Sequence, residues 1–211
     1  MSPSIEIYYF PILGRSAPLY AILDYAGADW APKYVKDWDL EKANTPFHRV
    51  PVLYEKLPSG DTFVLPEAHA IERYFAKRFN LYGDDMRRDA LQDAYVSQWN
   101  DAFDSVTNLH FEDEAYKDYH TKKFNHAMDL IIKTHGEIWQ ASPTGLYFGN
   151  KIYWVDIVAY TYYQVFSALG LTKDFTDRLG GLDKLKATLD KDPRFQSYIE
   201  KEKLRSANYK D

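Results

Sequence analysis

Two short segments carry polar backbone groups where a small molecule could use them: Phe47-His48-Arg49-Val50-Pro51-Val52-Leu53-Tyr54 and Leu65-Pro66-Glu67-Ala68-His69-Ala70. A proline ahead of an apolar, β-branched run removes one ladder donor, and an X–Pro bond is able to be cis. A cis Val50–Pro51 bond turns the loop outward, so that the Val50 N–H and C=O can pair with an extended peptide. Pro66-Glu67-Ala68 opens a helix, and a helix N-terminus offers its N–H groups to a carboxylate. A peptide hook beside an anion hook points to a short acidic peptide as ligand. The chain contains no cysteine, which excludes disulfides, thiolate metal sites and a cysteine nucleophile. Any thiol chemistry must use a thiol that the substrate brings. The six histidines (His48, His69, His110, His120, His126, His135) lack ligand spacing beside a carboxylate, so they read as surface or packing residues and no metal is expected.

The elements that position these segments alternate over the first eighty residues. Ile5-Glu6-Ile7-Tyr8-Tyr9-Phe10 is a strand that stops at Pro11. Ser16 suits a helix N-cap, Pro18 its first turn, and Leu19, Ile22, Leu23 and Ala26 its apolar face, with Gly27 as terminator. Pro32-Lys33-Tyr34-Val35 is a second strand. Val52–Glu55 and Thr62–Leu65 flank Pro58-Ser59-Gly60-Asp61 as a hairpin, and the helix from Glu67 turns Ile71, Tyr74 and Phe75 inward. The pattern is an α/β unit over 1–80. Asn80–Asp85 breaks it, and an all-helical domain is expected over 86–211. There, residues 87 to 112 give a long helix carrying Leu91, Tyr95, Trp99 and Phe103, and Phe124, Met128, Ile131 and Ile132 mark the next. With Tyr153 at an N-cap, Asp156 sits at the third helical position between a staple of Ile152 and Ile157, which makes it structural.

Composition narrows the class. A chain of 211 residues, 45% apolar and 17% aromatic, can bury a core. The net charge of -5 excludes the basic face that a nucleic-acid partner demands. No run reaches the length of a membrane span, and Met1-Ser2-Pro3-Ser4 leads to a strand without a signal peptide, so no membrane partner and a cytoplasmic location are expected.

This order of elements, with Pro51 before the hairpin, resembles the cytosolic glutathione transferase superfamily along nearly the whole chain. Tyr9-Phe10-Pro11-Ile12-Leu13-Gly14-Arg15 is similar to the start of its sigma-like, tyrosine-type classes. Pro46-Phe47-His48-Arg49-Val50-Pro51-Val52-Leu53 is similar to its Pro-Phe-Gly-x-x-Pro-x-Leu loop, and Leu146 to Asp156 to its C-terminal domain signature. The resemblance implies a thioredoxin-like N-terminal domain, a C-terminal helical bundle and a homodimer. It implies glutathione as co-substrate, held by Arg15, Trp38, Lys42, Arg49, Val50, Pro51, Glu67 and Ala68, with Tyr9 as the hydroxyl that favours the thiolate. A thiol titrates near about 8.5, and lowering that by two units takes about 2.7 kcal/mol, within reach of one charged hydrogen bond plus a helix dipole. Tyr8 lies on the opposite strand face, where packing or a structural hydrogen bond is expected. Ser16 is the rival hydroxyl, resembling the serine of the serine-type classes. A small hydrophobic second substrate would meet Ile12 and Leu13 together with Trp99, Phe103, Thr107 and Phe111.

Three positions depart from the family pattern. Ala68 stands where a serine hydroxyl normally binds the γ-glutamyl carboxylate, His48-Arg49 replaces a small residue, and Ser97 and Asn100 neutralise positions on the first long helix while Asp101 remains. Losing the serine bond costs about 1.5–3 kcal/mol of glutathione affinity. The implied activity is addition of the glutathione thiolate to a hydrophobic electrophile. The alternatives are an isomerase, lyase or cyclase on the same scaffold with weak or no glutathione dependence, or a non-catalytic ligand-binding protein.

Overall fold

A computed structural model describes residues 4–111, 114–173, 175, 178–179 and 181–208. The side chains of His110 and Phe111 lie outside the described residues, as do the first three residues. The chain divides into two compact units, Met1–Asn80 with Asp192–Asp211, and Leu81–Lys191. The last twenty residues group with the first eighty rather than with the helices between.

The first unit has a four-stranded sheet: β1 (Ile5–Tyr9), β2 (Trp30–Tyr34), β3 (Val52–Lys56) and β4 (Thr62–Pro66), in the order β2-β1-β3-β4. β1 and β2 are parallel; β3 runs antiparallel to both β1 and β4. Pro32 is tolerated because β2 is an edge strand. The hairpin closes with Leu57 N–H donating to Asp61 O at 2.8 Å. Strand alternation sets Ile5, Ile7 and Tyr9 on one face of β1 and Glu6 and Tyr8 on the other.

Helix α1 (Ala17–Tyr25) is buried at every position, packed against α3 (Ala68–Arg78) and α8 (Pro193–Asn208). A helix enclosed on all sides reads as apolar all round, which is what Ala17-Pro18-Leu19-Tyr20-Ala21-Ile22-Leu23 supplies. Its one buried charge, Asp24, is satisfied by Trp30 Nε1 at 2.9 Å, Lys201 Nζ at 3.1 Å and Arg205 Nη2 at 3.0 Å. That cluster fixes α8 to this unit. Charge and amphipathicity alone did not show which unit the last helix would join. The short α2 (Trp38–Glu41) follows β2 and has no buried residue.

The second unit is helical: α4 (Met86–Phe111), α5 (Lys117–Ala141), α6 (Trp154–Ala168) and α7 (Leu182–Leu189). Phe124, Met128 and Ile131 are buried as their spacing predicts, whereas Leu91 is 45% exposed. The core is aromatic, with Trp99, Trp139, Trp154 and Phe166 fully enclosed. Asp156 is buried and accepts the N–H of Tyr153 at 2.8 Å and of Tyr147 at 2.9 Å, so it caps α6 and ties down the preceding loop. Burial pushes its carboxyl up to about 7, against the pull of those two N–H groups. Gly145 (φ +75) has no room for a side chain, because a Cβ there would lie 2.2 Å from Leu185 N.

Candidate functional site

Strand register builds the site. Tyr8 pairs with Val52, and Val52 with Pro66. The end of β1, the start of β3 and the end of β4 therefore meet at one end of the sheet. Tyr9 closes β1, Val50–Pro51 leads into β3, and Glu67-Ala68 follows β4 into α3. The Val50–Pro51 peptide is cis, and neither the N–H nor the C=O of Val50 has a protein partner among the described residues. Glu67 precedes α3 at φ 74, ψ 117, a left-side conformation that costs a non-glycine residue about 1 kcal/mol or more. Ala68 is the first residue of α3, where backbone N–H groups have no intrahelical acceptor.

Tyr9 is 8% exposed. Its hydroxyl oxygen accepts the Arg15 N–H at 3.1 Å, while its own proton has no acceptor among the described residues. Burial raises its pKa above the usual tyrosine value, opposed by the Arg15 N–H and the Arg15 charge. Tyr9 is thus a neutral hydroxyl donor at physiological pH. Gly14 completes this arrangement: a Cβ there would lie 3.0 Å from the Tyr9 oxygen. Sequence reasoning passed over Gly14, although a glycine directly before Arg15 and a helix start was the available signal. Ser16 occupies the N-cap position of α1 but makes no side-chain cap bond, and it is 1% exposed. This corrects the N-cap reading of Ser16.

Trp38 and Lys42 lie on and just after α2. The Trp38 ring meets Phe10 edge to face at 5.3 Å, and Phe10 meets Tyr9 at 5.7 Å, so two ring contacts through Phe10 link Tyr9 to the tryptophan. The Lys42 carbonyl accepts the Thr45 hydroxyl at 2.8 Å and faces His48 Nδ1 at 3.2 Å. The loop it anchors carries Phe47 and His48 at positive φ, with Phe47 69% exposed and Arg49 exposed beside them.

Of the six residues expected to meet a second substrate, the Phe111 side chain lies outside the described residues, and Ile12 is exposed and Leu13 half-buried in the first unit. In the second unit Thr107 is half-buried, and Phe103 is buried and stacks on Tyr162 at 4.6 Å. Trp99 is 0% exposed; its ring lies against Trp139 and Phe166, and its Nε1–H is donated to the Tyr147 hydroxyl at 3.0 Å. Trp99 is a core residue and not a pocket wall, because aromatic spacing on a helix does not reveal what the ring faces. Among the described residues no group of three or more histidine, aspartate or glutamate side chains is arranged to hold a metal. No helix is long and apolar enough to cross a membrane among them.

No protein-family model matches the chain. Among curated proteins it is 26% identical over 203 residues to a probable glutathione S-transferase 6 of Caenorhabditis elegans, covering 92% of this chain and 94% of that one. It is also 26% identical over 208 residues to hematopoietic prostaglandin D synthase of Gallus gallus, covering 94% and 96%. Among solved structures, the sigma class transferase of Fasciola hepatica superposes with a TM-score of 0.78 at 22% identity, covering 95% of this chain and 97% of that one. The chain is thus similar to glutathione S-transferases along nearly its whole length and shares their fold, a thioredoxin-like first unit and a helical second.

Proposed function

We propose that this protein binds glutathione in its first unit and adds the thiolate to a hydrophobic electrophile, with Tyr9 as the catalytic hydroxyl. The observation that carries the reading is the Tyr9 hydroxyl: its oxygen is held by the Arg15 N–H and its proton is left for a ligand. A sulfur seated there receives an O–H hydrogen bond, which favours thiolate over thiol. The thiol proton leaves to solvent, the sulfur lone pair forms a C–S bond, and the electrophile's leaving group departs with its bonding pair. Val50 would pair with the peptide backbone of glutathione, and the Ala68 N–H with its γ-glutamyl carboxylate. Trp38 on α2 and Lys42 and Arg49 in the segment after it would line the same site, and Glu67 would take the ligand's ammonium. The family's usual homodimer is part of this reading.

A second reading has the same thiolate assist an isomerisation and leave again. The relationship to a prostaglandin D synthase favours it, as does Ala68, which binds the co-substrate less tightly than serine would. Calorimetric titration with reduced glutathione tests both. Micromolar to low-millimolar binding supports them, and turnover of a generic aryl halide then selects conjugation. No heat at high millimolar ligand ends both readings.

A further inference from the structure

Helix α2 raises a question of support. It carries Trp38 and leads into Lys42, yet it is four residues long and buries none of them. Such a helix has too little length and too little apolar contact to hold itself. Its own cap, the Asp37 carboxylate accepting the Leu40 N–H at 3.3 Å, organises one turn and ties it to nothing else. Beside the Trp38–Phe10 ring contact, the polar tie comes from Glu41. One carboxylate oxygen accepts the Asp37 N–H at 3.0 Å and the Lys36 N–H at 3.3 Å, gathering the loop that precedes the helix. The other accepts the hydroxyl of Tyr8.

Tyr8 is a fixed post. It lies in β1, paired to Lys33 and Val52 by register, and it is buried. Lys33 Nζ sits 5.6 Å from both the Tyr8 and the Tyr54 ring centres on this face of the sheet. The two consecutive tyrosines therefore point to opposite faces with different tasks: Tyr9 toward the ligand, Tyr8 toward α2.

We infer that the Tyr8–Glu41 hydrogen bond is a positioning device: it holds α2 to the central strand so that Trp38 and Lys42 present one fixed arrangement to the peptide co-substrate. The inference rests on the proposed glutathione site. Neither residue is catalytic, since each acts through Trp38 and Lys42.

The test is a double-mutant cycle of Tyr8→Phe and Glu41→Ala, with Glu41→Gln as the conservative variant. A charge-assisted hydrogen bond lost between binding elements corresponds to about a tenfold rise in KM for glutathione, with kcat changed by less than about twofold. The pKa of the bound thiol stays at its wild-type value in each variant. The double variant is no worse than the worse single one, and Glu41→Gln, which keeps an acceptor for Tyr8, restores most of the affinity. Unchanged KM in both single variants overturns the inference. So does a fall in melting temperature with no change in KM, which marks a merely structural bond. Should the wild-type chain bind no glutathione, the transferase reading falls and amide exchange of residues 38–45 in the ligand-free protein decides the positioning role. Faster exchange there in Tyr8→Phe upholds it, and unchanged exchange removes it.

Discussion

The sheet end that carries Tyr9 and the aromatic interior of the helical unit solve opposite problems with similar residues. At the sheet end, polar groups are left without protein partners among the described residues: the Tyr9 proton and both Val50 backbone groups. In the helical interior a buried tyrosine is saturated. Tyr147 accepts from Trp99 Nε1 at 3.0 Å and lies 2.6 Å from His135 Nδ1. His135 Nε2 lies 2.7 Å from the Gln98 side-chain oxygen, so Nε2 carries the ring proton and Nδ1 accepts from Tyr147. A tyrosine whose hydrogen bonds are complete holds a fold together, and one left with a spare donor can serve a ligand. Burial alone does not separate them, for Tyr9 and Tyr147 are both buried.

The contrast can be broken hardest at Asp156. Asp156→Ala strips acceptors from two buried N–H groups and is expected to cost about 3–5 kcal/mol of stability. Urea unfolding measures that loss. Next comes the acid response of His135, whose pKa burial lowers to about 4. An unfolded histidine binds its proton near pH 6.5, so protons favour the unfolded chain between there and pH 4. The stability lost across that window is about 3 kcal/mol and is constant below it. Relative to the wild type, the urea midpoint of a His135→Gln variant should rise as pH falls from 6.5 to 4, and a constant difference between the two would remove His135 as the cause. Tyr9→Phe has the reverse profile, with kcat/KM for an aryl halide falling about a hundredfold while melting temperature and glutathione affinity hold. The smallest effect is a gain: Ala68→Ser should tighten glutathione binding about tenfold by calorimetry.

What could be read from residue order was local. Prolines, glycines and a two-residue period marked β1, the hairpin and the start of α3, and the side of Tyr8 opposite Tyr9 followed from strand alternation alone. The anchoring of α8 was not visible, because Asp24 meets Lys201 and Arg205 across 177 and 181 residues of sequence. Trp99 misled for the same reason, its neighbours being Trp139 and Phe166 on other helices. Gln98, His135 and Tyr147 form a chain that no spacing rule announces. The bond from the Arg15 N–H to Tyr9 spans only six residues, but the role expected of Tyr9 came from the family resemblance and not from that spacing.

The Asp24 cluster has a consequence for how the protein is made. The helical unit, Leu81–Lys191, is one continuous stretch, whereas the first unit needs both ends of the polypeptide. During synthesis the helical unit can fold as soon as its last residue leaves the ribosome. Until α8 emerges, Asp24 waits without its two cations and α1 lacks one of its packing surfaces. The part of the protein made first is therefore the part finished last, and a ribosome that stops before residue 201 releases a chain whose first unit is still incomplete.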